Sequence, residues 1–410
     1  MIFIDFLIFT IYAVQNAYLP LFLRNIGYTA SEVGFLYGIF NFFGILIPMV
    51  LTPIVSRKNN FIFILFVQGI FLTIIPFALF NVQGFLLTAI FIALYAVFYR
   101  WLVPVSDSLI TSKLGEHQEK YGAIRVAGSV GFVVMALLMQ KFCKVESISL
   151  TGMILWLAVP ALLFVFSVGA YGFYERLANK KDGAQKSESA SSSVLDSSSS
   201  SLKNPGENSL RSQKSTLEIM KSFGLGFWLM IGVIFFEFFG MTPANNFLSM
   251  YVQEELKISS VGFLWAFNSI CEIPFMFLSG FFIKKFGEKK LILICTVAVI
   301  VRNLLYAFVP NFYGAILGQM THSLTYGLFF PCCIMFASKA AARDPKATMI
   351  AFTIVNSLSG LAAVIGASVG GIIIDLFSYR ILFLVFAFFV LCAVLIYEIL
   401  EKLILRKRLS

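Results

Sequence analysis

Three ionisable side chains, Arg100, Asp107 and Arg125, stand inside otherwise apolar sequence between Tyr99 and Val134, which reads YRWLVPVSDSLITSKLGEHQEKYGAIRVAGSVGFVV. Ionised groups in a hydrocarbon layer cost several kcal/mol each, on the order of 2.5–3.5 at a helix centre, unless they are paired or face water. Arg100, Pro104, Asp107 and Thr111 follow i, i+4, i+7, i+11 spacing and are expected on one helix face; Arg125, Gly128 and Phe132 share a face on the next helix. A carboxylate and a planar guanidinium facing each other suit hydrogen bonding to a polar solute. A second set lies in the other half of the chain. Trp265, Asn268 and Glu272 share a face that offers a ring, an amide and a carboxylate, a mix suited to a ligand wall. Arg302, His322 and Glu237 are further ionisable groups in apolar surroundings.

The elements that must position these groups are membrane helices. The 410 residues are 59% hydrophobic and 13% charged, outside the range of soluble domains. A bilayer crossing takes roughly 20 apolar residues. Twelve runs qualify, near residues 2–23, 32–55, 60–80, 84–112, 121–141, 149–174, 223–251, 260–283, 290–309, 312–338, 347–374 and 379–404. The first is too long for a signal-peptide core and is read as a retained helix. Asn16 lies on it, within NAYLPLFLRNIG. Ser31 and Glu32 are expected to cap the second helix, and the sixth to end at Arg176.

A net charge of +10 invites a nucleic-acid reading, but the placement of the cations argues for a lipid bilayer instead. Of 31 Lys and Arg, twenty-three fall in the even-numbered turns and the C-terminal tail, five in the odd-numbered turns, and three (Arg100, Arg125, Arg302) within the spans. The positive-inside rule places the rich side, and with it both termini, in the cytoplasm. The six cysteines lie in or beside apolar runs without CxxC spacing, so neither metal nor disulfides are expected.

Residues 176–221 break the pattern: ten of the fifteen from Ser187 to Ser201 are serine, and nothing there can bury a core. They are read as a disordered cytoplasmic linker between bundles at 1–175 and 222–410. The pattern then restarts. TASEVGFLYGIFNFFGILIP resembles KISSVGFLWAFNSICEIPFM, with Val33-Gly34-Phe35-Leu36 on Val261-Gly262-Phe263-Leu264 and Gly44 on Glu272. Such a repeat implies two pseudo-symmetric six-helix halves with a solute site between them.

This plan resembles the major facilitator superfamily, and within it the lactose-permease-like and phenylpropionate-transporter-like branch. YGAIRVAGSVGF is similar to that branch's Tyr/Phe-Gly-x-x-Arg-x-x-Gly-x-x-Gly-aromatic pattern. Asp107 precedes Arg125 by eighteen residues, the spacing of the branch's sugar-binding carboxylate–arginine pair, and Phe132 stands where a sugar-stacking tryptophan is found. Glu272 before Pro-Phe, Arg302 in VIVRNLLYAF and His322 in QMTHSLTYGLFF resemble the branch's coupling cluster. There are departures. Thr325 replaces a carboxylate, Gln319 and Leu358 replace lysines that would partner Glu237, and the loop motif is degenerate, with Lys284 at its acidic position.

The resemblance implies an all-α membrane protein of twelve helices that moves a small organic solute (sugar, nucleoside or aromatic acid) across the cytoplasmic membrane by alternating access, by proton symport. Its working unit is one chain, and no cofactor is implied beyond a proton gradient. Asp107, Arg125, Phe132, Trp265, Asn268, Glu272 and Asn16 are the expected solute contacts; Glu272, Arg302, His322 and Glu237 the expected proton-coupling set. Glu272 is expected to pair with Arg302, with His322 as relay. Plainer readings stand beside these. Asp107–Arg125 could be a structural ion pair, Glu272 a buried protonated acid, His322 a hydrogen-bonded core group, Phe132 core, and His117 a solvated turn residue. Arg100 either snorkels to the interface or shares Asp107. The GxxG pieces and Gly370-Gly371 suit close helix packing. No nucleotide loop, HExxH or Cys–His context supports an enzyme. An uncoupled facilitator, a multidrug exporter and a transporter-like sensor remain as alternatives.

Overall fold

The computed structural model describes residues 1–56, 60–114, 121–143, 148–190, 216–341 and 344–409. Twelve of its helices are long and apolar enough to span a membrane. They are α1 (Ile2–Asn25), α2 (Ala30–Ser56), α3 (Phe61–Leu79), α4 (Phe85–Leu114), α5 (Tyr121–Phe142), α6 (Leu150–Ala190), α7 (Leu225–Glu255), α8 (Val261–Phe286), α9 (Glu288–Phe308), α10 (Phe312–Ala340), α11 (Pro345–Leu376) and α12 (Tyr379–Leu409). A short helix, Thr216–Ser222, leads into α7. The spans form two bundles of six, α1–α6 and α7–α12, which meet mainly along α2 against α11 and α5 against α8.

Three local readings are corrected. The cap of α2 is Thr29, not Ser31: the Thr29 amide donates to Glu32 Oε2 at 2.8 Å and the Glu32 amide to Thr29 Oγ1 at 3.2 Å, a reciprocal capping box. Helix α6 does not stop at Arg176 but runs to Ala190, and residues 216–222 are helical, so both ends of the expected linker are ordered as helix. The polar residues 176–190 extend a helix already nucleated in the span, where each added residue makes one further backbone bond. The core of the serine tract, and His117, lie outside the described residues.

The third correction concerns α4, which is broken at Arg100–Trp101 between Phe85–Tyr99 and Leu102–Leu114. Pro104 has no N–H to donate to the carbonyl of Arg100, so the ladder is interrupted one turn earlier. The helical spacing from Arg100 to Asp107 therefore runs across a break. Similar irregularities occur in the second half, where a π-helical turn ends α7 at Tyr251–Glu255 and another interrupts α10 at Ser323–Leu328, directly after His322. Such turns concentrate at functional positions.

Between lipid-solvated helices there is little hydrophobic gain from association, so close backbone approach over small residues carries the packing. The repeated glycines do this in both halves. A Cβ at Gly34 would strike the carbonyl oxygen of Ala367 on α11, and one at Gly262 the carbonyl oxygen of Ala136 on α5. Gly371 is likewise closed off by the Ala30 carbonyl, and Gly370 by the Phe247 ring. The sequence repeat is thus a repeated contact: Val-Gly-Phe-Leu opens the helix of each half that docks on the other half.

The polar bridges between the halves gather at the end where these docking helices begin. Asp375 accepts from the amides of Ala30 (3.1 Å) and Ser31 (2.7 Å) at the start of α2. Gln140 Oε1 accepts from the amides of Gly262 (2.8 Å) and Phe263 (3.3 Å) at the start of α8, and its amide group donates to the Ser259 carbonyl. Arg24 donates twice to Glu254, at 2.7 and 3.1 Å, and the Tyr379 hydroxyl donates to the same carboxylate at 2.8 Å. A cleft of about 590 Å³ over Arg24, Tyr28, Gln253 and Glu254 lies at this closed end, away from the intramembrane charges.

Candidate functional site

Arg125 projects from α5 between two carboxylates. Its Nη1 is 3.2 Å from Asp5 Oδ1 on α1 and 3.6 Å from Asp107 Oδ1 on α4. The expected Asp107–Arg125 pair is present, but Asp5 is the nearer partner and its side chain is fully buried, whereas 32% of Asp107 and 28% of Arg125 stay accessible. The guanidinium also lies 4.7 Å from the centre of the Phe9 ring, in cation–π range. The glycines of the Arg-x-x-Gly-x-x-Gly motif make this possible. A Cβ at Gly128 would come within 2.6 Å of Asp5 Oδ2 and 2.7 Å of Phe9, and one at Gly131 would strike the Phe6 carbonyl. The motif docks α5 onto α1 and so brings Arg125 to Asp5.

Asp5 was missed by the sequence reading. Its signal was present: a lone acid in the apolar run IFIDFLIF, in the first turn of the first span.

Arg100 neither snorkels nor shares Asp107. It donates to Asn41 Oδ1 on α2 and lies 4.4 Å from the Phe40 ring, over Gly44, whose missing side chain leaves it room. Asn41 in turn donates to the Ala363 carbonyl on α11 at 3.4 Å. Beside Arg100 runs an aromatic series: Phe9–Tyr12 at 5.6 Å, Tyr12–Tyr99 at 4.3 Å and Tyr99–Phe40 at 5.2 Å between centroids. Asn16 enters this wall by accepting from the Tyr99 hydroxyl at 3.4 Å.

In the second half, Glu272, His322 and Arg302 form a line rather than the expected direct Glu272–Arg302 pair. His322 Nε2 is 3.7 Å from Glu272 Oε2, and its Nδ1 is 3.2 Å from Arg302 Nη1. Arg302 is held by Gln319 Oε1 at 2.6 Å and by the Tyr306 hydroxyl at 3.3 Å. Gln319, the lysine position of the resembled branch, is what keeps Arg302 away from the acid: a neutral acceptor there satisfies the guanidinium. Gly327 on α10 leaves space for Glu272, with a hypothetical Cβ 3.1 Å from its Cγ. Tyr326 stacks on His322 at 5.3 Å and Phe330 on Tyr326 at 6.0 Å. Tyr326 also comes within electrostatic reach of Tyr12, Arg100, Arg125 and Glu272, so it stands where the polar groups of both halves converge.

The remaining expected residues divide. Trp265 donates to Ser249 Oγ at 2.9 Å, and its ring meets Phe132 across the halves at 6.3 Å, so these two form one buried contact rather than two separate ligand walls. Asn268 is buried on the same helix with its Oδ1 unbonded. Glu237 is fully buried and neither of its oxygens has a hydrogen-bond partner; Arg302 acts on it only at longer range. Thr325, at the branch's carboxylate position, is buried with its hydroxyl oxygen unbonded.

A pair of six-helix bundles with ionisable groups paired inside each is the frame of a membrane transporter, not of an enzyme. The chain belongs to the MFS_1 like family, whose sequence model matches residues 2–385. It is 26% identical to the uncharacterized transporter YwbF of Bacillus subtilis (strain 168) over 316 residues, 76% of this chain and 70% of that protein. It is 25% identical to a maltose permease of Geobacillus stearothermophilus over 307 residues, 73% of this chain and 68% of that one. The fold matches the crystal structure of the nucleoside transporter NupG with a TM-score of 0.74, covering 98% of each chain at 14% identity.

Proposed function

We propose that the protein carries a small, ring-bearing hydroxylated solute of the sugar or nucleoside class across the cytoplasmic membrane, coupled to protons. Both termini would face the cytoplasm. The observation that carries this reading is the convergence at Tyr326: aromatic series from both halves flank Asp107–Arg125 on one side and Glu272–His322 on the other. Ring faces suit the apolar face of a sugar or a base, and a carboxylate beside a planar guanidinium suits vicinal hydroxyls. The maltose permease and nucleoside transporter among its relatives and structural neighbours agree with that solute class. Phe132, Trp265, Asn268 and Asn16 would shape the surrounding wall.

Coupling would run along Glu272–His322–Arg302. Burial disfavours a charged carboxyl and a nearby cation favours it, so such a line can change its proton content between states. A proton on Glu272 would leave the His322 side of the line free to receive solute; its loss would re-form the Glu272–His322 contact after release. Glu237 would be the reserve proton site.

The test is uptake into vesicles holding purified protein, with radiolabelled maltose and uridine as probes. Glu272→Gln is expected to preserve probe exchange while abolishing accumulation driven by an imposed pH gradient. Accumulation that persists in Glu272→Gln moves the proton site to Glu237. Accumulation that ignores both Glu272→Gln and Glu237→Gln overturns proton coupling, and wild-type vesicles that exchange neither probe overturn the solute class.

A further inference from the structure

Asp5 has no part in the coupling line just described, yet its setting is that of a working group. It is fully buried in the first span, and it shares one guanidinium nitrogen with Asp107: Arg125 Nη1 lies 3.2 Å from one carboxylate and 3.6 Å from the other. Two ionised carboxylates share a single guanidinium, with the Met1 amino group the other cation near Asp5, and a proton on the buried carboxyl relieves the burial of its charge. The accessible member, Asp107, can be solvated; the buried member cannot. The second oxygen of Asp5, Oδ2, has no hydrogen-bond partner and lies against Gly128. The charged and titratable groups around Asp5 are Arg125 and Tyr121 from α5, Asp107 from α4, and the amino group of Met1.

We propose that Asp5 holds a proton in the N-terminal half and acts as a positioning residue. When it is protonated, Arg125 turns to Asp107 and the solute path; when it is ionised, Arg125 is drawn back against α1. Only an O–H bond is made or broken. The proton comes from the water that Asp107 and Arg125 face, and it returns there. This goes with the proton-coupled reading above but places a second titrating group in the opposite half, so that solute contact and proton content meet on one arginine. A carboxylate kept only for helix packing would stay ionised against Arg125 at all working pH values and give no protonated signal.

The test is infrared spectroscopy of the full-length protein in lipid, recorded as pH-difference spectra, with protons as the probe. A protonated-carboxyl stretching component that titrates is expected in the wild type. It should be lost in Asp5→Asn and kept in Asp107→Asn. A Glu237→Gln/Glu272→Gln variant leaves Asp5 and its packing intact, and the component should survive there too. An Asp5→Asn spectrum that matches the wild type, or absence of the component from the Glu237→Gln/Glu272→Gln protein, overturns the proposal. The measurement reads proton occupancy and not uptake, so its outcome is independent of the transport experiment.

Discussion

Replacing Asp375 by alanine removes the acceptor for two amides at the start of α2, and replacing Gln140 by alanine removes the acceptor for two at the start of α8. Both residues belong to the opposite half from the helix they cap. Each cap therefore exists only while the two halves are closed at this end, and its loss biases the equilibrium toward the state open there. Loss of a helix N-cap costs about 0.5–2 kcal/mol, centred on ~1. Asp375 is exposed, so solvent screening offsets the gain from its charge and keeps its share near ~1 kcal/mol. At about 1.4 kcal/mol per tenfold, each single variant should raise the population open at this end by roughly fivefold. The two caps serve different helix pairs, so their effects should add and the double variant should shift it by roughly thirtyfold. The assay is electron–electron spin resonance between labels at Gln83 and Tyr313, exposed positions in opposite halves at this end. Longer distances should gain weight in the order single, single, double. A distance distribution unchanged in the double variant, with helicity intact, would refute the idea that these caps hold the end shut.

Three further outcomes follow from the site and its frame. Arg125→Lys should weaken probe binding nearly as much as Arg125→Ala, by tenfold or more, because the charge is kept while the fork that reaches Asp5, Asp107 and solute is lost; near-normal affinity in the lysine variant would reduce the group to a plain charge pair. Gly131→Ala should lower stability by about 1–3 kcal/mol, since its Cβ meets a backbone carbonyl that cannot rotate away. Gly122→Ala, with open space at its Cβ, should be neutral or slightly stabilising, and thermal unfolding in detergent separates the two. Cysteines placed at Ser198 and Asn311 should react with impermeant reagent from opposite sides of the membrane; labelling of Ser198 from outside intact cells would invert the proposed orientation.

Span count, the two halves and most of the charged positions were legible because they rest on composition and on single residues that are costly in lipid. Twelve apolar runs need no tertiary information to be found. What escaped the sequence depends on which helices touch. Asp5 is one acid among 21 Asp and Glu until α5 is laid on α1 by Gly128 and Gly131. Arg100 shares helical spacing with Asp107 in the sequence, but its guanidinium is held by Asn41 on α2, a partner that only the packing of α4 on α2 reveals. The direct Glu272–Arg302 pair was expected from the resemblance and from the two residues' neighbouring helices; the neutral acceptor Gln319 could not be weighed until its 2.6 Å bond to Arg302 was seen.

The two halves solve the same packing problem with the same parts and then differ where ions are held. Gly34 and Gly262 play one role, Asp375 and Gln140 another, each pair acting across the interface from matching positions. At the repeat position of Gly44, however, the first half keeps a glycine so that Arg100 can lie over it, while the second half places Glu272. A shared scaffold of this kind would let the two parallel repeats rock about common contacts. Unlike charges set on that scaffold would give each half its own partner for the proposed solute. The first half presents an arginine shared by two acids, and the second an acid linked to a buried arginine through histidine. On the proposed coupling, rocking that moves one set relative to the other would change how well each charge is compensated, and a proton gained or lost would let the site follow that change.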